Sequence, residues 1–269
     1  MGNNLLKGKR GIISGALDEQ SIAWKVAERC VEEGATITLT NAPVAMRFGK
    51  IKELGEKLNA EIIPADATSL DDLQNLVSRS VEVLGGKIDF ALHSIGMSLN
   101  VRKGREYTNL NYDWMQKTFD VSAISFHKMM QTLYNMDAMN DWGSIVGLSY
   151  IAAQRTFPDY SEMAESKALL ESFARSFGYH FGTKNNVRVN TISQSPTMTT
   201  AGSGVKGFQE FFDYADKMSP LGNASAEACA DYCVFMFSDL SRMITMQNLY
   251  HDGGFSSMGM NPAVLGLKS

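Results

Sequence analysis

The chain has 269 residues, 44% of them hydrophobic, and a formal net charge of −4. That length and apolar content can fill one large core or two small ones, and the acidic balance argues against the broad basic face a nucleic-acid binder needs. No run of eighteen apolar residues could span a membrane, the polar start MGNNLLKGKR does not read as a signal peptide, and Cys30, Cys229 and Cys233 show no paired pattern, so a reducing, cytoplasmic setting is expected.

In chain order, RGIISG (10–15) is an apolar strand closed by glycine, and SIAWKVAERCVEEG (21–34) is an amphipathic helix with Ser21 as N-cap and Gly34 as stop. ATITLT (35–40) is a β-branched strand, AMRFGKIKELGEKLN (45–59) a helix, AEIIPAD (60–66) a strand and LDDLQNLVSRSVEVLGG (70–86) a helix. KIDFALHSIG (87–96) is the fourth strand, and periodicity predicts a long helix over 111–135. WGSIVGLSY (142–150) is the fifth strand, 159–182 a helix and VRVNTIS (187–193) the sixth strand. The Ser/Thr/Gly-rich segment SQSPTMTTAGSG (193–204) precedes two more helices and a last strand in MQNLYHDGG (246–254). The four histidines are scattered, and no metal site is expected.

Strands separated by helices need crossover connections, which give a parallel sheet covered on both faces. The expected fold is a single α/β domain, a doubly wound Rossmann sheet of about seven strands, whose ligands sit beyond the carboxyl ends of the strands. After strand one, Gly15 permits a tight turn, and Ser21 with the free amides of the next helix can hold phosphate oxygens. After strand two, Ala42 stands where NAD-binding sheets often carry an acid, and Arg47 a few residues on leaves NADH and NADPH both open. After strand three, Asp66 suits an adenine amino group or a helix cap. After strand four come Ser94, Ile95 and Gly96, with glycine allowing backbone close to a ribose. Each residue alone has a plainer reading as a turn, loop, cap or strand exit; four such strand ends in series point to a dinucleotide.

Tyr150 closes strand five and faces the same edge. Pro158 and Asp159 are helix-start signals, so Tyr160 and Lys167, seven residues apart, are expected on one helix face two turns apart. An ammonium beside a phenol would favour the phenolate and ease proton donation to a developing oxyanion.

With these residues in place, the chain resembles the short-chain dehydrogenase/reductase superfamily and, within it, the bacterial enoyl-[acyl-carrier-protein] reductases. The shared stretches are SGALDEQSIA, HSIG, DVSAISF, LSYIAAQRTFPDY, MAESKALLES, VRVNTIS, SDLS and HDGGFS, and the spacing Tyr-x6-Lys replaces the Tyr-x3-Lys of most of the superfamily. The resemblance implies reduction of a trans-2-enoyl thioester by NADH, with an acyl-carrier-protein-bound substrate and a homotetramer built on the last strand and the helices 111–135 and 159–182. It implies that Tyr160 hydrogen-bonds the thioester carbonyl, that Tyr150 lines the acyl site and that Lys167 binds the nicotinamide ribose. Gly15, Ser21, Ile22, Asp66, Ala67 and Ile95 would line the dinucleotide. Residues around 196–218 would form a lid, with Thr197 and Thr199 near the cofactor. Met97, Ser98, Met163 and Met198 would line the substrate. Three glycines usual in that family are replaced, by Ala164, Ser195 and Met246, and the lid's basic residues shrink largely to Lys206. A carbonyl reductase of the same superfamily and a catalytically weak dinucleotide-binding homologue are the alternatives.

Overall fold

The computed structural model describes residues 2–203 and 207–267; Lys206 lies outside them. Seven parallel strands form one sheet in the order β3-β2-β1-β4-β5-β6-β7. They are β1 (Arg10–Ser14), β2 (Thr36–Thr40), β3 (Glu61–Ile62), β4 (Ile88–His93), β5 (Met139–Ser149), β6 (Arg188–Gln194) and β7 (Asn248–His251). The helices are α1 (Ile22–Glu32), α2 (Ala45–Phe48), α3 (Ile51–Leu58), α4 (Leu70–Leu84), α5 (Leu99–Arg102), α6 (Tyr112–Phe119), α7 (Ser125–Asn135), α8 (Met163–Asn185), α9 (Thr200–Ser203), α10 (Phe208–Met218) and α11 (Ala226–Phe237). The single α/β domain expected from the alternating pattern is thus the observed fold.

Side chains alternate across the sheet, as a strand demands. Ile13, Phe90, Leu92 and Val146 pack on one face with α1 and α11, and Ile12, Ala91 and Ile145 pack on the other with α4, α7 and α8. Strands β1 and β4 pair from Gly11 with Phe90 to Ser14 with His93. Chain order reverses between them, so a crevice opens at their carboxyl ends. Gly15 sits at that point with φ +100°, and a Cβ there would lie 2.1 Å from the Ser94 carbonyl oxygen. Its freedom is required first by this contact between two strand ends.

Three expected helices differ from the pattern. The helix over 45–59 breaks between Phe48 and Ile51, because the Gly49–Lys50 link packs under the loop after β1: a Cβ on Gly49 would lie 2.7 Å from Leu17 Cδ1, and Lys50 N donates to Leu17 O at 2.8 Å. The helix over 111–135 contains a π-helical turn at Asp120–Ile124. The helix over 159–182 begins only at Met163, which matters for the site. Strand five starts earlier than expected, at Met139, with an irregular register beside β4 and Trp142 at φ +62°. Among the described residues no helix is long and apolar enough to cross a membrane.

Candidate active site

A cleft with a cavity volume of about 350 Å³ opens at the carboxyl ends of β4, β5 and β6, a size typical of small-molecule sites. Its lining brings together Ile22, Ser94, Ile95, Gly96, Met97, Ser98, Tyr150, Tyr160, Met163, Lys167, Thr197 and Thr199, twelve of the residues singled out from sequence. Gly15, Ser21, Ala42, Asp66, Ala67 and Met198 are outside the lining.

Ser21, Ala42, Asp66 and Met198 are engaged or directed elsewhere. Ser21 occupies the N-cap position of α1, but its hydroxyl makes no cap bond; it donates to Asp18 O at 2.7 Å and accepts from Leu17 N at 3.2 Å, closing the loop after β1. The Ala42 N–H donates to the preceding side chain, at Asn41 Oδ1, at 2.8 Å, while the Asn41 amide donates to Ala16 O at 2.9 Å. Asp66 is not the cap of α4. Ser69 is, accepting from Asp72 N at 3.2 Å. The Asp66 carboxylate accepts from Thr68 N and Oγ1 at 2.9 and 2.7 Å, and those bonds hold it below its usual range. Met198 is exposed because the chain from Thr197 to Thr199 alternates, turning both threonines to the cleft and the methionine away. One wall of the cleft is aromatic: Phe157, Phe208 and Phe211 line it, with Phe157 and Phe211 5.2 Å apart at 90°.

Tyr150 follows the last residue of β5 and is buried, its ring 5.1 Å from that of Tyr160. Its hydroxyl is buried without a hydrogen-bond partner among the described residues, and burial, then the neighbouring Tyr160, pushes the phenol up. An unpartnered buried hydroxyl in a cleft wall is a group waiting for a ligand.

Tyr160 is not on α8. It ends a 3-10 turn at Pro158–Tyr160, and the chain then passes through Ser161 at φ +50°, ψ −147° before the helix starts at Met163. That conformation lies near the region only glycine visits freely and costs on the order of 1–3 kcal/mol for another residue. Lys167 is a buried helix residue whose Nζ donates to Leu148 O at 2.7 Å. Tyr160 and Lys167 therefore reach the same cleft by a kinked approach rather than by helical spacing. The expected depression of the Tyr160 phenol is also absent: burial pushes it up, and the ammonium is spent on the carbonyl. Burial lowers Lys167 itself to about 8, against a weaker opposing pull from Glu171. The Glu171 carboxylate is occupied by Ser149 Oγ at 2.6 Å and Gln154 Nε2 at 3.2 Å.

The replaced glycines are accommodated. Ser195 Oγ accepts from Ala224 N at 2.7 Å, tying the end of β6 to the approach to α11. Met246 takes φ +61°, and its side chain fills the space left by Gly178, where a Cβ would lie 2.5 Å from Met246 Cγ. Ala164 packs beside the Tyr150 cluster.

Other residues of the site escaped sequence reasoning. Ser122, in the π-helical turn, accepts from Met97 N at 2.9 Å and donates to Met97 O at 3.1 Å, fixing the strand exit after Gly96. Its only signal was its place in DVSAISF. Gln194 lines the cleft, donates to Thr197 Oγ1 at 3.1 Å and shares a 2.7 Å hydrogen bond with His251 Nδ1. Among the described residues no group of three His, Cys, Asp or Glu is placed to hold a metal.

Comparison with known proteins adds the following. A family model described as "Enoyl-(Acyl carrier protein) reductase" matches residues 15–256. The chain is 32% identical over 260 residues to "Enoyl-[acyl-carrier-protein] reductase [NADH] 1" of Rhizobium meliloti (strain 1021), covering 96% of this chain and 94% of that protein. It is 32% identical over 267 residues to "Enoyl-[acyl-carrier-protein] reductase [NADH] FabI" of Rickettsia bellii (strain RML369-C), covering 98% and 100%. The crystal structure of a FabI–NADH complex from Alistipes finegoldii matches with a TM-score of 0.97 at 63% identity, over 99% of this chain and 94% of that one.

Proposed function

Because the chain belongs to the enoyl-(acyl carrier protein) reductase family, we propose that its cleft is where an enoyl thioester is reduced at its trans-2 double bond with NADH. The reaction is that of fatty-acid synthesis, and it makes the protein an oxidoreductase acting on a carbon–carbon double bond. The single observation that carries the assignment of the site is the convergence of Tyr150, Tyr160 and Lys167 on one cleft at the switch point of the sheet.

The residues present fit the cofactor. Gly96 sits beside the lysine, where a Cβ would come into van der Waals contact, 3.9 Å from Lys167 Nζ and 3.8 Å from Met163 Cε. Ile22 at the start of α1 and Thr197 and Thr199 after β6 line the same cleft. NADH held here would supply the hydride for the β-carbon, and a proton drawn from solvent would complete the α-carbon. Lys167, held by Leu148 O, presents its charge to the ribose hydroxyls. The Tyr160 O–H donates to the thioester carbonyl oxygen, where negative charge gathers; a phenol kept neutral by burial is a competent donor. Tyr150 offers the second hydroxyl and, with Phe157 and Phe211, excludes water. Residues 196–218 act as the lid, since Phe208 and Phe211 of α10 already reach the cleft.

The carrier-bound thioester is the substrate form this reading favours. Exposed Tyr179 on α8, Tyr250 on β7 and Met243 before it support a homotetramer assembled through those elements; a monomer mass by light scattering would remove that part. The three buried free cysteines support a cytoplasmic setting. The decisive assay follows NADH absorbance with a crotonyl thioester beside a 3-ketoacyl thioester. Oxidation of NADH with the enoyl substrate is expected; turnover of the keto substrate alone would overturn the assignment.

A further inference from the structure

Glu162 lies next but one to Tyr160 in a place where a carboxylate is unexpected, since it is fully buried at the N-terminal end of α8. Four side chains, from two other parts of the chain and its own neighbour, converge on it. Ser98 Oγ and Thr118 Oγ1 each donate to Oε1 at 2.7 Å, Asn100 Nδ2 donates to Oε1 at 3.1 Å, and Ser161 Oγ donates to Oε2 at 2.7 Å. Burial alone would raise the carboxyl, but the bonds from Ser161, Ser98 and Thr118 outweigh it and hold the group below its usual range, as an anion. The position at a helix start also favours negative charge. The charge is thus satisfied on both oxygens, and one of the bonds ends on a residue of the cleft lining, Ser98.

Ser98 lines the cleft and caps α5, donating to Glu162 while accepting from Val101 N at 3.0 Å. Asn100 reaches back to Asn111, accepting from its N–H at 3.0 Å. Thr118 belongs to α6. Ser161 is the residue at φ +50°, ψ −147° that swings the chain from Tyr160 into α8. We infer that Glu162 is a positioning residue for the reduction: its buried carboxylate pins the Ser161 turn that aims Tyr160 into the cleft, and locks that turn to the Ser98–Arg102 wall facing it. The inference rests on the reading of Tyr160 given above.

The serine is what makes the role testable. Glycine reaches the geometry of position 161 unaided, whereas alanine resists it and lacks the hydroxyl. With crotonyl thioester and NADH, Ser161→Ala is expected to lower kcat about tenfold and Glu162→Leu about 30-fold, because an ångström of misplacement is that costly to a positioned group. Glu162→Gln keeps an acceptor for Ser98, Asn100 and Thr118 and can donate to Ser161, and is expected to retain turnover within roughly threefold. Ser161→Gly is expected to keep kcat within about threefold and, added to Glu162→Leu, to restore most of the loss. The KM for NADH stays unchanged throughout, which a general loss of structure would not allow. If Glu162→Leu fails to fold, the contrast between Ser161→Ala and Ser161→Gly decides. Equal kcat for those two, or kcat near wild type in folded Glu162→Leu, would overturn the inference. Should the wild type itself be inert with enoyl thioesters, the reading of the reaction fails, and crystal structures of Ser161→Ala and Glu162→Leu decide the positioning role: Tyr160 displaced from the cleft supports it, and an unmoved Tyr160 removes it.

Discussion

Tyr160→Phe is expected to lower kcat for enoyl-thioester reduction about 100-fold, the usual loss when a single proton donor to a developing oxyanion is removed. The NADH dissociation constant should hardly change, because Tyr160 belongs to the aromatic wall beside Tyr150 and Phe157. The fold should hold as well, since the ring and its 5.1 Å contact with Tyr150 remain. Stopped-flow single turnovers separate the two effects, chemistry slowing while cofactor binding does not. Retention of kcat within a few-fold would transfer the donor role to Tyr150, whose buried hydroxyl is unpartnered among the described residues, and Tyr150→Phe would then carry the loss.

Lys167→Met should be more damaging to activity and yet benign for stability. Loss of the ammonium removes a cofactor contact and a charge near the reacting oxygen together, and kcat/KM is expected to fall about 1,000-fold. The same charge burdens the fold. Lys167 ionises at about 8 in the folded protein against an ordinary 10.5, because burial disfavours its cation. Below about 8 the lysine is protonated folded and unfolded alike, and the burial penalty, on the order of 3 kcal/mol, is present in full. Between about 8 and 10.5 the unfolded chain binds the proton that the folded one has lost, so this contribution to stability rises with pH. Methionine removes the penalty and forfeits the bond to Leu148 O, for a net gain of about 1–2 kcal/mol at neutral pH, read as a higher Tm. In the wild type, kcat/KM should decline above pH about 8 as the ammonium is lost, while stability moves the other way. A flat pH profile through that range, or a Tm that falls in Lys167→Met, would contradict the role.

Much of the fold was legible because strand and helix leave different periods in a sequence. β-branched runs such as ATITLT became β2, and the residues read at four strand ends lie at the carboxyl edge of the sheet. The failures share one cause: contacts distant in sequence. Nothing in the pattern of 159–182 shows that the helix waits until Met163, because the turn at Ser161 is held by side chains as far away as Ser98. Nothing local announces the break at Gly49, which is set by Leu17. The site was reached by two routes. Strand-end chemistry found Ser94 to Gly96 in the cleft while Ala42 and Asp66 stand outside its lining, and the family resemblance supplied Ile22, Met163 and the two threonines. Neither route exposes a partner such as Ser122 or Gln194, whose roles exist only once three segments have come together.

The placement of β1 between β2 and β4 has a consequence for how the chain is made. Ser14 pairs with Thr40 on one side but with His93 on the other. A ribosome adding 5–20 residues per second needs roughly 4–16 s to bring the second partner out after the first strand. For that interval a central strand of the sheet carries a bare edge that any other extended segment could occupy. Slow refolding after dilution from denaturant, with yield falling as protein concentration rises, is the signature this topology should leave in the test tube.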